Sequence, residues 1–176
     1  MIKSISKCKK CGLCYNQKPL LDNLCKTCDV MWIGLSAKKV EDVECSYPLS
    51  NDTNTGEIIA QIEEKIESRL FYKTNLVKCL PLGDNNKIRY PNKIEIEYCM
   101  PNLLDEIIEL EPKIIFLLGN LVESSVIDFL KCNSEYKYIL KKYNFVKLYH
   151  PSYIYIYKRR QINNYIDNIV EMVKKI

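Results

Sequence analysis

The sequence predicts an α/β fold: a three-layer sandwich with a central, mostly parallel four-stranded sheet flanked by helices. Three observations predict it. Apolar runs of strand length alternate with stretches of helical period. Three of those runs stop at a loop-type residue, namely Gly34, Asn75 and Gly119. The C-terminal segment carries the clearest amphipathic periodicity in the chain.

The elements follow in order. Residues 1–29 form a cysteine-rich, turn-like lead within a single domain spanning 1–176. Val30–Gly34 (VMWIG) reads as a buried strand, and 36–55 as a long polar loop, a type that often carries function. Gly56–Arg69 reads as a helix, with Ile58, Ile59, Ile62 and Ile66 on one face. Phe71–Asn75 is a second strand and 78–90 a loop. Pro101 is expected to open the next helix, because proline fits a first turn. Lys113–Leu118 and Asn144–Tyr149 are the third and fourth strands, with a helix over Val122–Leu130 between them. Ile162, Tyr165, Ile166, Ile169, Val170 and Val173 give the last helix its apolar stripe. In such sheets ligands bind beyond the carboxyl ends of the strands, so function is sought after Gly34, Asn75, Gly119 and Tyr149.

The bulk numbers narrow the function classes. The 176 residues are 47% hydrophobic and 27% charged, a globular balance. No apolar run reaches the roughly 18 residues of a membrane span, and the N-terminus lacks a signal-peptide core. A cytoplasmic, monomeric protein is expected. Net charge is +4 but unevenly spread: residues 141–176 alone carry eight basic and two acidic side chains, enough for a basic face toward phosphates. Nine cysteines in a reducing compartment point to metal rather than disulfides.

Two metal patterns compete. Cys8-x2-Cys11 with Cys25-x2-Cys28 has the spacing of a zinc ribbon. Cys79 and Cys99 flank a basic, proline-containing loop, and two distant pairs can also converge on a cubane iron–sulfur cluster. The only histidine, His150, lies between a strand and a proline, which excludes histidine-rich metal sites. Asn75 ends a strand, and its amide offers both a donor and an acceptor, the complement of an amide-like base edge.

Taken together, CKKCGLC, VMWIGLSAKK, YPLSNDTNTGEII, KTNLVKC, Arg89-x-Pro91 with Glu95-x3-Cys99, LEPKIIFLLG and His150-Pro151-Ser152 fall in one order along the chain. That order resembles the uracil-DNA glycosylase superfamily, and most of all its iron–sulfur type-4 branch. The resemblance implies a DNA glycosylase that flips a uracil or another modified base out of DNA and hydrolyses its glycosidic bond. It implies Cys8, Cys11, Cys79 and Cys99 as ligands of a 4Fe-4S cluster. It implies Asn75 as reader of the base edge and His150 as stabiliser of the departing base. Gly34, Leu35, Ser36, Leu49 and Ser152 are implied at the base pocket. Tyr153, with Ile154 and Tyr155, is implied as a wedge toward the minor groove, and Lys158, Arg159 and Arg160 as phosphate contacts.

Two positions depart from the family pattern. Leu35 stands where an acid normally follows the glycine, leaving Glu41 or Asp42 to substitute from the loop. Leu49 stands where an aromatic stacks on the base, leaving Trp32 or Tyr47 to supply a ring. Cys14, Cys25, Cys28 and Cys45 are additional and form a candidate zinc site. The alternatives are a catalytically weak nucleic-acid-binding module of the same fold, or a zinc-ribbon binding protein.

Overall fold

Four apolar segments pair into one sheet, and their alternating side chains decide what covers each face. The computed structural model describes residues 2–22 and 27–176. The strands are β1 (Val30–Ser36), β2 (Phe71–Val77), β3 (Ile114–Leu118) and β4 (Phe145–Leu148). They lie in the order β2-β1-β3-β4, and every pairing is parallel. The helices are α1 (Ile2–Ile5), α2 (Asn54–Glu64), α3 (Lys93–Leu110), α4 (Asn120–Cys132), α5 (Ile139–Lys142), α6 (Pro151–Tyr157) and α7 (Ile162–Lys174).

Period-two alternation splits the core in two. Met31, Ile33, Tyr72, Ile115 and Leu117 pack against α3, α4 and Ile139. Val30, Trp32, Ile114, Phe116 and Leu118 pack against α2 and α7. The result is the expected three-layer sandwich, and its two central strands, β1 and β3, are apolar runs, as parallel strands covered on both faces must be. The C-terminal helix buries Ile166, Ile169, Val170 and Val173, as its periodicity predicts.

One helix start differs from the sequence reading. Pro101 lies inside α3, which begins at Lys93. The Asn92 side chain accepts from the Glu95 N–H, and the Glu95 carboxylate accepts from the Asn92 N–H. This reciprocal capping box starts the helix earlier, and Arg89 braces Glu95 through both carboxylate oxygens. Burial of Ile96, Met100, Leu103, Leu104 and Ile107 then carries the helix through the proline.

Candidate functional site

The sheet turns at β1: the chain runs outward to β2 on one side, then to β3 and β4 on the other. A cleft of about 590 Å³ opens at the carboxyl ends of the strands, where such a switch point places a ligand. Leu35, Ser36, Leu49, Asn75, His150, Ser152 and Tyr153 all line it. Seven residues named from sequence therefore converge on one site, drawn from segments as far apart as Leu35 and Tyr153.

Asn75 sits on edge strand β2, in register with Gly34 on β1. A Cβ at position 34 would overlap Asn75 Oδ1 and meet Leu49 Cδ2 at 3.0 Å. Gly34 is thus required by close approach: its missing side chain is the space that Asn75 and Leu49 occupy. Leu49 itself holds a left-handed backbone (φ 54°), an uncommon conformation for a branched residue. Asn75 is 3% exposed, lines the cleft, and makes no side-chain hydrogen bond to the described residues. Its amide therefore keeps both a donor and an acceptor open to the cleft.

Beneath Asn75 lies a buried polar network. Lys78 Nζ donates to the Asn75 carbonyl at 2.6 Å, to Thr74 Oγ1 at 2.7 Å and to Glu106 Oε2 at 2.5 Å. Tyr72 and Thr74 hydroxyls also donate to Glu106. Lys78 and Glu106 are 1% and 0% exposed in their side chains. Such a pair is costly to bury and is tolerated only when its remaining donors and acceptors are met, as they are here.

His150 follows β4 and caps α6. Its Nδ1 accepts from the Ser152 N–H at 3.3 Å and lies 2.7 Å from Ser152 Oγ. Because the backbone N–H is an obligate donor, Nδ1 is the unprotonated nitrogen and the neutral ring carries its proton on Nε2. Burial lowers the pKa of His150 below its ordinary value near 6.5, so the ring is neutral at neutral pH. Gly119, with φ 96°, holds a backbone conformation that favours glycine where β3 passes into α4 beside His150.

Several sequence expectations are corrected. Trp32 is fully buried on the α2/α7 face, stacked on Phe116 and donating to Glu63, so it does not stack on a ligand in the cleft. Tyr47 lies beneath Lys73 Nζ and does not line the cleft. Glu41 and Asp42 face a separate groove with Asn16, Gln17 and Leu80. Among the residues lining the cleft there is no carboxylate; Asp52 lies nearby but is clamped by Lys38 and Ser50. Ile154 is buried and Tyr155 packs against the core, so neither can wedge into DNA. The segment after His150 is a helix, and the residues it turns toward the cleft are Ser152, Tyr153, Ile156 and Tyr157. Tyr153 and Tyr157 were readable as a four-residue spacing after Pro151, which sits at the helix start. Tyr90, from the loop before α3, is another lining residue the sequence reading missed. Lys158 lies over the Tyr149 ring, while Arg159 and Arg160 are exposed beside it.

The cysteines fall into two sets. Burial and the proximity of Cys99, Cys11, Cys14 and Cys8 together push the Cys79 thiol up. Asn102 Nδ2 donates to Cys8 Sγ at 3.5 Å, and the Lys78 N–H donates to Cys99 Sγ at 3.4 Å. The lead thus meets Cys79, after β2, and Cys99, on α3, and Cys14 belongs to this set. Cys28 is buried ahead of β1, while Cys45 is exposed in the loop after it. β1, at about 3.3 Å per residue, runs between them, and Cys25 lies outside the described residues. Among the described residues no group of three or more His, Cys, Asp or Glu side chains is set to hold a metal ion. No helix among them is long and apolar enough to cross a membrane.

The fold and cleft define an α/β sandwich with a cleft at its switch point, between an amide on one edge strand and a neutral imidazole beyond the other. The chain belongs to the uracil DNA glycosylase superfamily, whose family model matches residues 9–174. The crystal structure of wild-type SMUG2 from Pedobacter heparinus is similar to it, with a TM-score of 0.62 at 17% identity. The match covers 85% of this chain and 76% of that one, and supports the shared fold. No curated protein sequence matches. A family match running across the domain sets aside the zinc-ribbon reading.

Proposed function

We propose that the protein is a monofunctional DNA glycosylase that extrudes a uracil or another modified base and hydrolyses its N-glycosidic bond. The observation that supports this best is the placement of Asn75 and His150 in one cleft, one amide and one neutral Nε2–H donor. The Asn75 amide can donate to one base oxygen and accept from an adjacent ring N–H. As the bond to the sugar breaks, negative charge grows on the base. The His150 Nε2–H is the donor for that charge. Water adds its hydroxyl to the sugar carbon, and its proton ends on the expelled base. The cleft's lack of a lining carboxylate leaves that water without a strong positioning group, so excision is expected to be modest. The same lack favours the second reading, a binding module that has kept the fold and lost the rate.

We further propose the type-4 branch and a 4Fe-4S cluster held by Cys8, Cys11, Cys79 and Cys99. The residues fit: two of these thiols are buried, backbone and amide N–H groups already donate to sulfur, and a cubane spreads its thiolates wider than a single ion does. Bound there, it would supply a cross-link between the lead and the 79–99 segment. Protein purified without oxygen is expected to be brown, with visible absorbance that bleaches on reduction. Cys79→Ser should remove the colour and lower the melting temperature. A colourless preparation holding only zinc would overturn the cluster.

The test of function is excision from oligonucleotides carrying a panel of modified bases, read by strand cleavage after alkali. Cleavage at one base or a few, lost in His150→Ala, supports the enzyme. Tight binding without any cleavage supports the binding module instead.

A further inference from the structure

Five thiols meet where a cubane takes four. Cys8, Cys11 and Cys14 come from the lead, Cys79 from the turn after β2 and Cys99 from α3. Cys11 and Cys14 pack, half-buried, against the core that contains Cys79 and Cys99. Cys8 accepts from the Asn102 amide on α3. Burial raises the Cys79 thiol most, followed by Cys99, Cys11, Cys14 and Cys8 in falling order, so Cys14 acts on Cys79 no less than Cys8 does. A repeat in the backbone explains this equivalence. Cys8-x2-Cys11 and Cys11-x2-Cys14 have the same spacing, three residues apart. The first turn is closed by the Gly12 N–H donating to the Lys9 carbonyl at 3.3 Å, the second by the Tyr15 N–H donating to the Gly12 carbonyl at 3.1 Å. In each, the bond runs from the residue after the second cysteine back to the residue after the first. Gly12, with φ 77°, reverses the chain between the two turns, and buried Leu13 pins the second one to the core. Closely spaced cysteines of this kind are how a short segment offers several thiolates to one iron–sulfur cluster.

Resting on the cluster reading above, we infer that Cys8 and Cys14 are interchangeable ligands of the cluster, with Cys11 common to both turns. Cys79 and Cys99 complete the set in either arrangement. Exchange needs no oxidant or reductant. The incoming thiol gives up its proton as its sulfur binds iron, and the outgoing thiolate takes one up. The count of four thiolates holds throughout, so the lead stays tied to Cys79 and Cys99 when either Cys8 or Cys14 is blocked. The replaceable position is also the one that needs a spare. Cys8 and Cys14 are half-buried, within reach of solvent, whereas Cys79 and Cys99 are buried.

The test is iron content, visible absorbance and the mapped sites of iodoacetamide labelling, on protein purified without oxygen. Cys8→Ala and Cys14→Ala should each stay brown with the iron content of wild type. The double variant, Cys8→Ala with Cys14→Ala, should lose the colour, and so should Cys11→Ala, which removes the shared ligand. A folded but colourless Cys8→Ala overturns the inference, and so does a double variant that keeps its iron. Wild-type protein gives a second reading that depends on no variant. Brief labelling should leave the colour and place one label in the lead of each chain, on Cys8 in some chains and on Cys14 in others. Label on Cys14 alone would make it a bystander, and label on both with the colour kept would exclude both as ligands; either result overturns the exchange. The cluster reading fails separately. Wild-type protein that holds no iron overturns that reading and the exchange with it, whereas brown wild type beside colourless Cys8→Ala overturns the exchange alone.

Discussion

Asn75 and His150 face the same cleft, but the protein holds them by different means. Asn75 is fixed from below by a fully buried network that reaches far along the chain, through Lys78 to Glu106 on α3 and to the Cys99 sulfur. His150 is fixed by Ser152, two residues away, at the start of a short helix. Asn75 is therefore tied to the core and to the cysteine-bearing segment, whereas His150 is locally built. Damage to the first wall should cost stability and recognition together, whereas damage to the second should cost rate alone.

The largest effect should come from breaking the first wall. Lys78→Ala leaves Glu106 as a buried, unpaired carboxylate, and losses of this kind run to about 3–5 kcal/mol. Urea unfolding should show a midpoint shift of that size with little change in slope. The double replacement Lys78→Met with Glu106→Leu should recover most of the stability, since well-packed apolar side chains often match a buried pair. It should not recover base selection, because the Asn75 carbonyl has lost its donor. Wild-type unfolding in Lys78→Ala would show that the pair is not buried as described.

His150→Ala should lower the excision rate by about 10²–10³, the usual loss for one donor to a developing anion. Its stability should change much less than that of Lys78→Ala. A wild-type rate would show that the imidazole plays no part. Acid offers a second handle on this wall. Burial depresses the pKa of His150, so the unfolded chain takes up a proton at a higher pH than the folded one. Its contribution to stability is complete above about 6.5 and is lost as pH falls through the folded value. Protonating Nδ1 also breaks its acceptance from Ser152, so excision should be level above that pH and fall below it. Nitrogen NMR should show a protonated Nε2 and a bare Nδ1 at neutral pH; the opposite tautomer would remove the proposed donor.

What the sequence made legible follows the same division. The four strands, the C-terminal helix, Asn75 and His150 were readable because apolar runs and strand-end residues leave a local mark. Gly34 was readable as a strand end, though its reason, the close approach of Asn75 and Leu49, is tertiary. The Lys78–Glu106 pair was not readable, since a charged residue destined for the core looks the same in sequence as a solvated one. Pro101 misled because a proline suits a helix start, while the real start signal, Asn92 with Glu95, lay upstream in plain view. Trp32 misled because proximity in sequence to Gly34 says nothing about side: alternation puts it on the α2/α7 face of the sheet.

The smallest effect, a gain of about tenfold, tests what neither wall provides. Leu35 follows Gly34 at the end of β1, lines the cleft between the two walls, and packs partly against the core. Leucine cannot orient water, and Glu41 and Asp42 face another groove. Departure of the base carries most of the barrier, so excision can proceed without a carboxylate, but a positioned acid should help. Leu35→Glu is expected to raise the uracil excision rate about tenfold, at the low end of what general-base positioning supplies. The new carboxylate borders Leu49, and a carboxyl with an apolar neighbour resists ionisation. The gain should therefore grow as pH rises above neutrality, whereas the His150 profile is already level there. Asp52→Asn in the native background is the control, because Asp52 is bound to Lys38, which lines the cleft, and to Ser50. A rate that falls sharply in Asp52→Asn while Leu35→Glu gains nothing would assign the water to Asp52. It would also show that the cleft had replaced its missing acid from the loop before α2.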